Sequence, residues 1–503
     1  MPYSSIRMLP LTVVLCCLAA ISCEPKPPSG GRGLIHRSTE TAEGYVLLAP
    51  LLSTATYLVD TKGLVVHVWD GPPPASLSNY LLDDGRLLRS VKRSDPGPFT
   101  GTGGYGGRIQ ELSWDGPMLW DYVLPEGLQQ HHDFEPLTNG NVLMIAWEKK
   151  TREEALAAGR LLNRVGWRGL WSDCVVEVRP IRPDGGEILW RWCMWDHLIQ
   201  DLDAGRPGFG IVSEHPELID INGDRYPRRV TKELLRRLKA IGYVAEDATP
   251  TSLEPDFTHT NSIDYHPGLD QIVLSVPRFD EIWIIDHSTS THEAAGHNGG
   301  RYGRGGDLLY RWGNPVAYGR GGLGAKKLYS QHDARWIPAG LPGAGNLTIF
   351  NNGLRRSRHA YSSVLEIELP LAADGSYRLD DGAAYGPTGP TWRYTANPKT
   401  GLFAEYISGA ERLPNGNTLI TDGPRGRLLQ VTPAGKTVWI YDNPFSGDAP
   451  NPYDEPPYSL FRASFVSPDH PALEGRDLEP LDPQPAGKVT LAREVSPVND
   501  VGQ

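Results

Sequence analysis

Leu189-Trp190-Arg191-Trp192 is the clearest copy of a short pattern: an apolar residue, an aromatic, any residue, then a second aromatic. The pattern returns as Val66-His67-Val68-Trp69, Leu119-Trp120-Asp121-Tyr122 and Leu309-Tyr310-Arg311-Trp312. It appears twice more, as Thr391-Trp392-Arg393-Tyr394 and Val438-Trp439-Ile440-Tyr441, making six copies. A second motif precedes some of them. Leu137-Thr138-Asn139-Gly140-Asn141-Val142-Leu143 matches Leu413-Pro414-Asn415-Gly416-Asn417-Thr418-Leu419, and Leu82-Asp83-Asp84-Gly85-Arg86-Leu87-Leu88 is a weaker copy. Asn-Gly and Asp-Gly between apolar runs signal hairpins, expected here as type I′ turns. Each unit therefore reads as strand, tight turn, strand and a further pair closed by the aromatic run. Recurrence of such units predicts radial repetition of four-stranded sheets. The expected fold is all-β, a six-bladed β-propeller with short helical insertions. Its units fall near 44–71, 76–124, 130–196, 258–313, 331–395 and 403–443. A single large sandwich would not explain recurrence unit by unit.

Composition agrees. The chain has 56 Gly, 44 Pro, 14 Trp and 21 Tyr, turn formers with aromatics that favour short strands over long helices. A net charge of −11 argues against a nucleic-acid partner, which needs a basic face. At the N-terminus, Arg7 precedes an almost unbroken apolar run, Met8–Ala20, too short to span a bilayer comfortably. The run ends at Ala20-Ile21-Ser22-Cys23, which resembles a lipoprotein signal whose cysteine is lipidated, with Ala20 where leucine is commoner. Residues 1–23 are thus expected to be a signal peptide and 24–43 a flexible tether. The protein is expected to be exported and membrane-anchored, facing a periplasm from an outer membrane. The propeller should run over 44–470, with an extended tail at 471–503; the Pro- and Asp-rich segment from 444 onward is expected to wrap the outside.

Two segments interrupt the pattern. Residues 149–170 look partly helical, and 197–257 contain an amphipathic run from Thr231 to Ala240. Both are expected over one propeller face, as a lid. Only Cys174 and Cys193 lie in the folded body, on the two strands of one hairpin, and an exported compartment permits a disulfide between them. Gly101-Thr102-Gly103-Gly104-Tyr105-Gly106 matches a dinucleotide fingerprint in form only. Without a βαβ context it reads as a loop.

In a propeller the innermost strands line the axis, so equivalent positions of different blades converge. His132 opens the third unit, His259 the fourth and His332 the fifth; counting from the Asn-Gly turns places Ser408 at the same position in the sixth. A lone histidine at a strand start is ordinarily structural, but three in consecutive units point to a shared site. Three imidazoles beside Asp133 and Asp333 could hold zinc instead. Against that, each aspartate directly follows its histidine, so strand alternation turns it to the opposite face.

These residues carry a resemblance. His131-His132-Asp133-Phe134-Glu135, Thr258-His259-Thr260-Asn261-Ser262-Ile263-Asp264-Tyr265 and Gln331-His332-Asp333-Ala334-Arg335-Trp336 resemble the bacterial arylsulfotransferase family. So do Gly306-Asp307-Leu308-Leu309-Tyr310-Arg311-Trp312-Gly313-Asn314-Pro315 and Phe350-Asn351-Asn352-Gly353. The resemblance implies a six-bladed propeller and transfer of a sulfuryl group from an aryl sulfate ester to a phenol. No nucleotide donor, cofactor or metal is implied. By motif position His332 would become transiently sulfated, His259 would act as acid and base, and Arg278 would hold sulfuryl oxygens. His132 would bind the same group, with His131 as an open alternative. Asn261, Arg355 and Arg356 are further candidates for substrate binding. Partners would be small aromatic sulfates and phenols; oligomeric state is left open.

Overall fold

Each of the six aromatic runs forms the fourth strand of its blade, and in five of them an indole shows the reason; the first run is the exception, its Trp69 ring buried in the core with no partner for Nε1 among the described residues. Trp120 donates its Nε1–H to the carbonyl of Gly185 (2.7 Å), Trp192 to Gly306 (2.7 Å), Trp312 to Pro387 (2.8 Å) and Trp392 to Pro433 (2.8 Å). Trp439 donates to Thr61 (2.9 Å), which closes the ring from the last blade to the first. Every one of these bonds crosses to the next blade. The repeat is thus an inter-blade staple: a large apolar ring buries area while its one donor finds a partner.

A computed structural model of the chain describes residues 31–485, apart from 94, 96, 100–101, most of 225–253, 357–359 and 448–457. Six sheets stand around an axis, each antiparallel, and the innermost strands of successive blades pack against one another. Those strands are Leu460–Val466, Ala75–Leu81, Leu128–Pro136, Ser262–His266, His332–Trp336 and Gly409–Arg412 for blades one to six. The core is correspondingly divided into slabs between neighbouring blades. One slab joins Leu143, Trp190 and Trp192 to Ile263, Ile272 and Trp283; another joins Trp439 and Leu428 to Val46 and Leu48.

The structure corrects three expectations. Gly33–Arg37, placed in the tether, pairs with Thr437–Asp442 as a fifth, outer strand of blade six. Leu460–Val466, expected to wrap the outside, is the innermost strand of blade one and pairs with Tyr45–Pro50. Both ends of the propeller thus close the ring. Nothing local in these segments distinguishes a closing strand from an extended linker. The Asn-Gly turns are also not type I′. The amide of Gly140 bonds to Leu137 O (2.9 Å), that of Gly416 to Leu413 O (2.9 Å) and that of Gly85 to Leu82 O (2.8 Å). Only the glycines are left-handed, at φ 85°, 86° and 88°, as in a type I turn closed by a glycine bulge.

The first insertion holds the helix Arg152–Ala157, capped by Thr151 through a capping box with Glu154. It docks on the second insertion through a buried bidentate pair, Arg160 to Asp224 (2.7 and 3.0 Å). The run expected to be helical from Thr231 falls largely outside the described residues, although Lys232, Leu235, Arg236 and Lys239 are helical. Cys174 and Cys193 are cross-strand partners, Cα atoms 4.1 Å apart, and disulfide-bonded as expected. No helix among the described residues is long and apolar enough to cross a membrane. Residues 1–30, including Cys23, lie outside the described residues.

Candidate active site

The axial histidines stand where the inner strands break regular pairing. Register shifts interrupt the ladder beside Gln130–Phe134 and between His332 and Arg335. His132 (φ 50°), His259 (φ 55°), Asp333 (φ 52°) and Ser408 (φ 86°) are all left-handed, a conformation side chains with a Cβ seldom adopt. Such strain persists only where surrounding bonds hold it, and it gathers at functional sites.

His132 is the member of the His131–His132 pair that meets the other blades. Its ring lies edge-on to His259, centroids 4.5 Å apart. His131 lies behind, stacked on Trp147 at 4.1 Å, with Nδ1 2.7 Å from His132 Nδ1 and Nε2 3.2 Å from Asp173 Oδ1. The glycine-rich loop of blade two covers His132: Gly104 (φ 83°) accepts the His132 amide through its carbonyl, and a Cβ there would fall 1.8 Å from the imidazole. The loop is therefore a wall of the site, and a glycine is required for the approach.

His259 Nδ1 is held by Asp256, the last acidic residue of the second insertion. Asp256 also accepts from Thr102 Oγ1 (3.1 Å) and Trp147 Nε1 (3.2 Å). Burial would raise this carboxyl, but the positive charge available from His259, then Arg278 and His131, outweighs it and holds it low. Arg278 follows the strand Gln271–Val276, and its amide donates to Thr258 O (3.3 Å), beside His259 across the hairpin.

His332 is buried and its tautomer is dictated. Nδ1 faces two acceptors, Asn352 Oδ1 (2.8 Å) and Ser330 O (3.3 Å), so it carries the hydrogen. Asn352 cannot be turned round, because its NH₂ group donates to Ala404 O (3.0 Å) and Ile407 O (2.9 Å). Nε2 accepts from the Ile407 amide (3.2 Å) and thus holds the lone pair. Burial lowers the His332 pKa to about 3, with Asn352 opposing and the His259 charge assisting the fall. Burial, then His259, His131 and His332, push His132 well below the usual range too.

One residue further along lies a charged floor. Arg462, from the closing strand, grips Asp133 with both terminal nitrogens (2.7 and 2.6 Å) and reaches Asp333 (3.4 Å), which Arg335 also pairs (2.9 Å). Strand alternation had predicted that Asp133 and Asp333 turn away from the histidines. They do, and the bulges bring them together on Arg462. Among the described residues, sets of three or more donor atoms within 4.8 Å of one another occur at Glu148–Cys174–Cys193 and His197–His297–Asp307, not at the axis.

The remaining candidates divide. Asn261 is buried, and its amide donates to Gln331 O (2.9 Å), tying the His259 strand to the residue before His332. Arg356 stacks on Tyr361 (4.2 Å) and Tyr329 (5.3 Å) and donates to the Tyr361 hydroxyl (2.8 Å). Arg355 (φ 69°) sits in the same turn, three residues after Asn352. Asp256, Asn352, Arg462 and Gly104 were missed by sequence reasoning. Two signals were available: Phe350-Asn351-Asn352-Gly353, which carries the family resemblance without a stated role, and the glycine run around Gly104, which reads only as a loop.

Fold and axial site together define a propeller with a polar, histidine-lined centre. The family model described as arylsulfotransferase (ASST) matches residues 36–438, and the chain belongs to that family. Membership implies a sulfotransferase whose substrates are aryl sulfates and phenols. A search of curated proteins gave no match. Among solved structures, a Bacteroides caccae protein of unknown function is similar at TM-score 0.42 and 11% identity, covering 84% of this chain and 99% of that one. A putative 6-phosphogluconolactonase from Bacteroides fragilis gives TM-score 0.35 and 10% identity, covering 85% and 99%. Virginiamycin B lyase from Staphylococcus aureus, in a catalytically inactive form with quinupristin, gives 0.33 and 8%, covering 81% and 88%. Likeness at this level says nothing about activity.

Proposed function

We propose that this chain moves a sulfuryl group from an aryl sulfate to a phenol through a sulfated His332, without a nucleotide sulfate donor. The observation that carries the reading is the fixed tautomer of His332: Asn352 and Ser330 hold the hydrogen on Nδ1, which leaves the lone pair on Nε2. An imidazole attacks only when neutral, and burial keeps this one neutral across the physiological range. Nε2 attacks sulfur, exchanging its bond with the Ile407 amide; an N–S bond forms as the S–O(aryl) bond breaks. His259, oriented through Nδ1 by Asp256, gives a proton to the departing phenolate oxygen. The acceptor phenol then returns a proton to His259, attacks sulfur and breaks the N–S bond. Arg278 and His132 bind the oxygens of the transferring group, the guanidinium by paired hydrogen bonds.

Intact-mass analysis after addition of 4-nitrophenyl sulfate alone tests this. One added SO₃ is expected on the peptide containing His332, and none in His332→Asn. Nitrophenolate release with no modified histidine would remove the covalent step from the reading.

We also propose export and lipid anchoring at Cys23. The support is the Ala20-Ile21-Ser22-Cys23 ending and a disulfide, Cys174–Cys193, of a kind that persists in oxidising compartments. Cys23→Ala should move the protein from the membrane to the soluble fraction; unchanged partitioning would leave Cys23 without this role.

A further inference from the structure

Away from the axis, three donors meet where the third blade hands over to the fourth. His197 ends the short turn Met194–His197 that follows Cys193. His297 lies in the loop after the helix Thr291–Ala294, and Asp307 precedes the strand Tyr310–Trp312. His197 Nδ1 and His297 Nδ1 are each 2.8 Å from the same oxygen, Asp307 Oδ1. His197 and Asp307 are buried, while the His297 side chain is 56% exposed, so the cluster opens to solvent on one side.

The hydrogen positions at His197 make this more than a surface ion pair. Its Nε2 is 2.9 Å from the carbonyl of Ala294, which can only accept, so Nε2 carries a hydrogen. A neutral His197 then aims the Nδ1 lone pair at a carboxylate oxygen. Two lone pairs in a buried position repel unless a cation, a proton or a metal ion, lies between them. An imidazole fixed through one nitrogen by a backbone carbonyl, with the other nitrogen turned to a carboxylate and a second imidazole, is how metal-binding histidines are held. The approach is built in: a Cβ on Gly306 would sit 2.6 Å from His197 Nε2 and 2.0 Å from Ala294 O. Trp192 stacks parallel to the His197 ring at 5.8 Å, and its indole bonds to Gly306 O.

We propose that His197, His297 and Asp307 bind one divalent transition-metal ion, zinc foremost, which ties the outer end of blade three to blade four. Two imidazoles and one carboxylate suit zinc, cobalt or nickel better than calcium or magnesium. Zinc bonds of about 2.0–2.1 Å place tetrahedral donors about 3.3 Å apart, a few tenths beyond the 2.8 Å separations here. The exposed His297 can supply that movement on its side, while the buried His197–Asp307 pair must open by a small rotation of the Asp307 carboxylate, and the open side at His297 leaves a coordination position for water.

The test compares the stripped full-length protein with His297→Ala, chosen because an exposed side chain can be removed without emptying the core. After reloading with zinc and dialysis, wild type should retain one more equivalent than the variant; the axial histidines, common to both, cancel. Cobalt(II) should give wild type a visible ligand-field spectrum that the variant lacks. Zinc should raise the wild-type Tm by on the order of 1–3 °C and leave the variant unmoved. Aryl sulfate turnover should be equal in the two. Equal metal content in both proteins, or no retained metal and no cobalt spectrum in wild type, overturns the proposal and leaves His197–Asp307 an ordinary ion pair.

Discussion

Three histidines, two buried and one partly buried, differ in how many carboxylates they face, and this separates the axis of the propeller from its rim. His332, at the axis, faces an amide and a backbone carbonyl. His259, beside it, faces one carboxylate, Asp256. His287, between blades three and four, faces two: Asp270 Oδ1 at 2.7 Å and Glu177 Oε2 at 3.1 Å. Burial depresses all such groups, but for His287 the two carboxylates outweigh it and raise the pKa to about 9, against about 3 for His332. The same side chain is thus a fixed cation at the rim and a neutral lone pair at the axis. The polar neighbours decide which, and none of them is adjacent in sequence.

Removing the neutral member should have the largest effect. His332→Asn is expected to lower turnover of an aryl sulfate by roughly 10⁴-fold or more, since the nucleophile is gone. Residual activity within about tenfold of wild type would exclude a covalent role for this residue. Next comes the single-carboxylate case. Asp256→Asn keeps the volume but loses the acceptor that orients His259, and kcat should fall by about 10²–10⁴, as when other acid-held catalytic imidazoles lose their carboxylate. An unchanged kcat would detach His259 from proton transfer.

Asn352→Asp converts the axial environment toward that of the rim. A carboxylate opposite Nδ1 should raise the His332 pKa from about 3 and move the acid limb of the pH–rate profile up by about 1–2 units, so that turnover falls by up to about tenfold near pH ~4 while staying close to wild type at pH ~7. If the limb stays in place, His332 is not the group that titrates. The smallest expected effect on activity is at the rim. His287→Gln should leave kcat and KM unchanged but cost about 2–3 kcal/mol of stability at neutral pH, discounting for the partly exposed Asp270.

The two extremes also predict opposite pH limbs of stability. The His287 pKa is raised on folding, so its contribution is fully present below about 6.5 and is lost as pH rises through about 9. For His332 the folded pKa is depressed, so the neutral form's stability is present above about 6.5 and is lost as pH falls toward about 3. His287→Gln should therefore flatten the alkaline limb of Tm against pH and leave the acid limb intact.

The blades were legible because their signals are local. An outer-strand tryptophan must bury its ring, in five of the six blades with its one donor placed on the next blade, and a turn glycine must accept a positive φ. These needs recur in sequence wherever they recur in space, so the six runs, the His132, His259 and His332 positions and the Cys174–Cys193 hairpin could be found by counting. What tertiary structure alone decided is who faces those histidines. Asn352 reaches His332 from twenty residues away, Asp256 arrives at the end of an insertion, and Arg462 comes from the far end of the chain to neutralise Asp133. Even the ring-closing strands Gly33–Arg37 and Leu460–Val466 look like linker until their partners are present. The physical reason is range. Backbone conformation and side-chain alternation follow from neighbours along the chain, whereas tautomer, charge state and pKa follow from neighbours in space, which only closure of the propeller supplies.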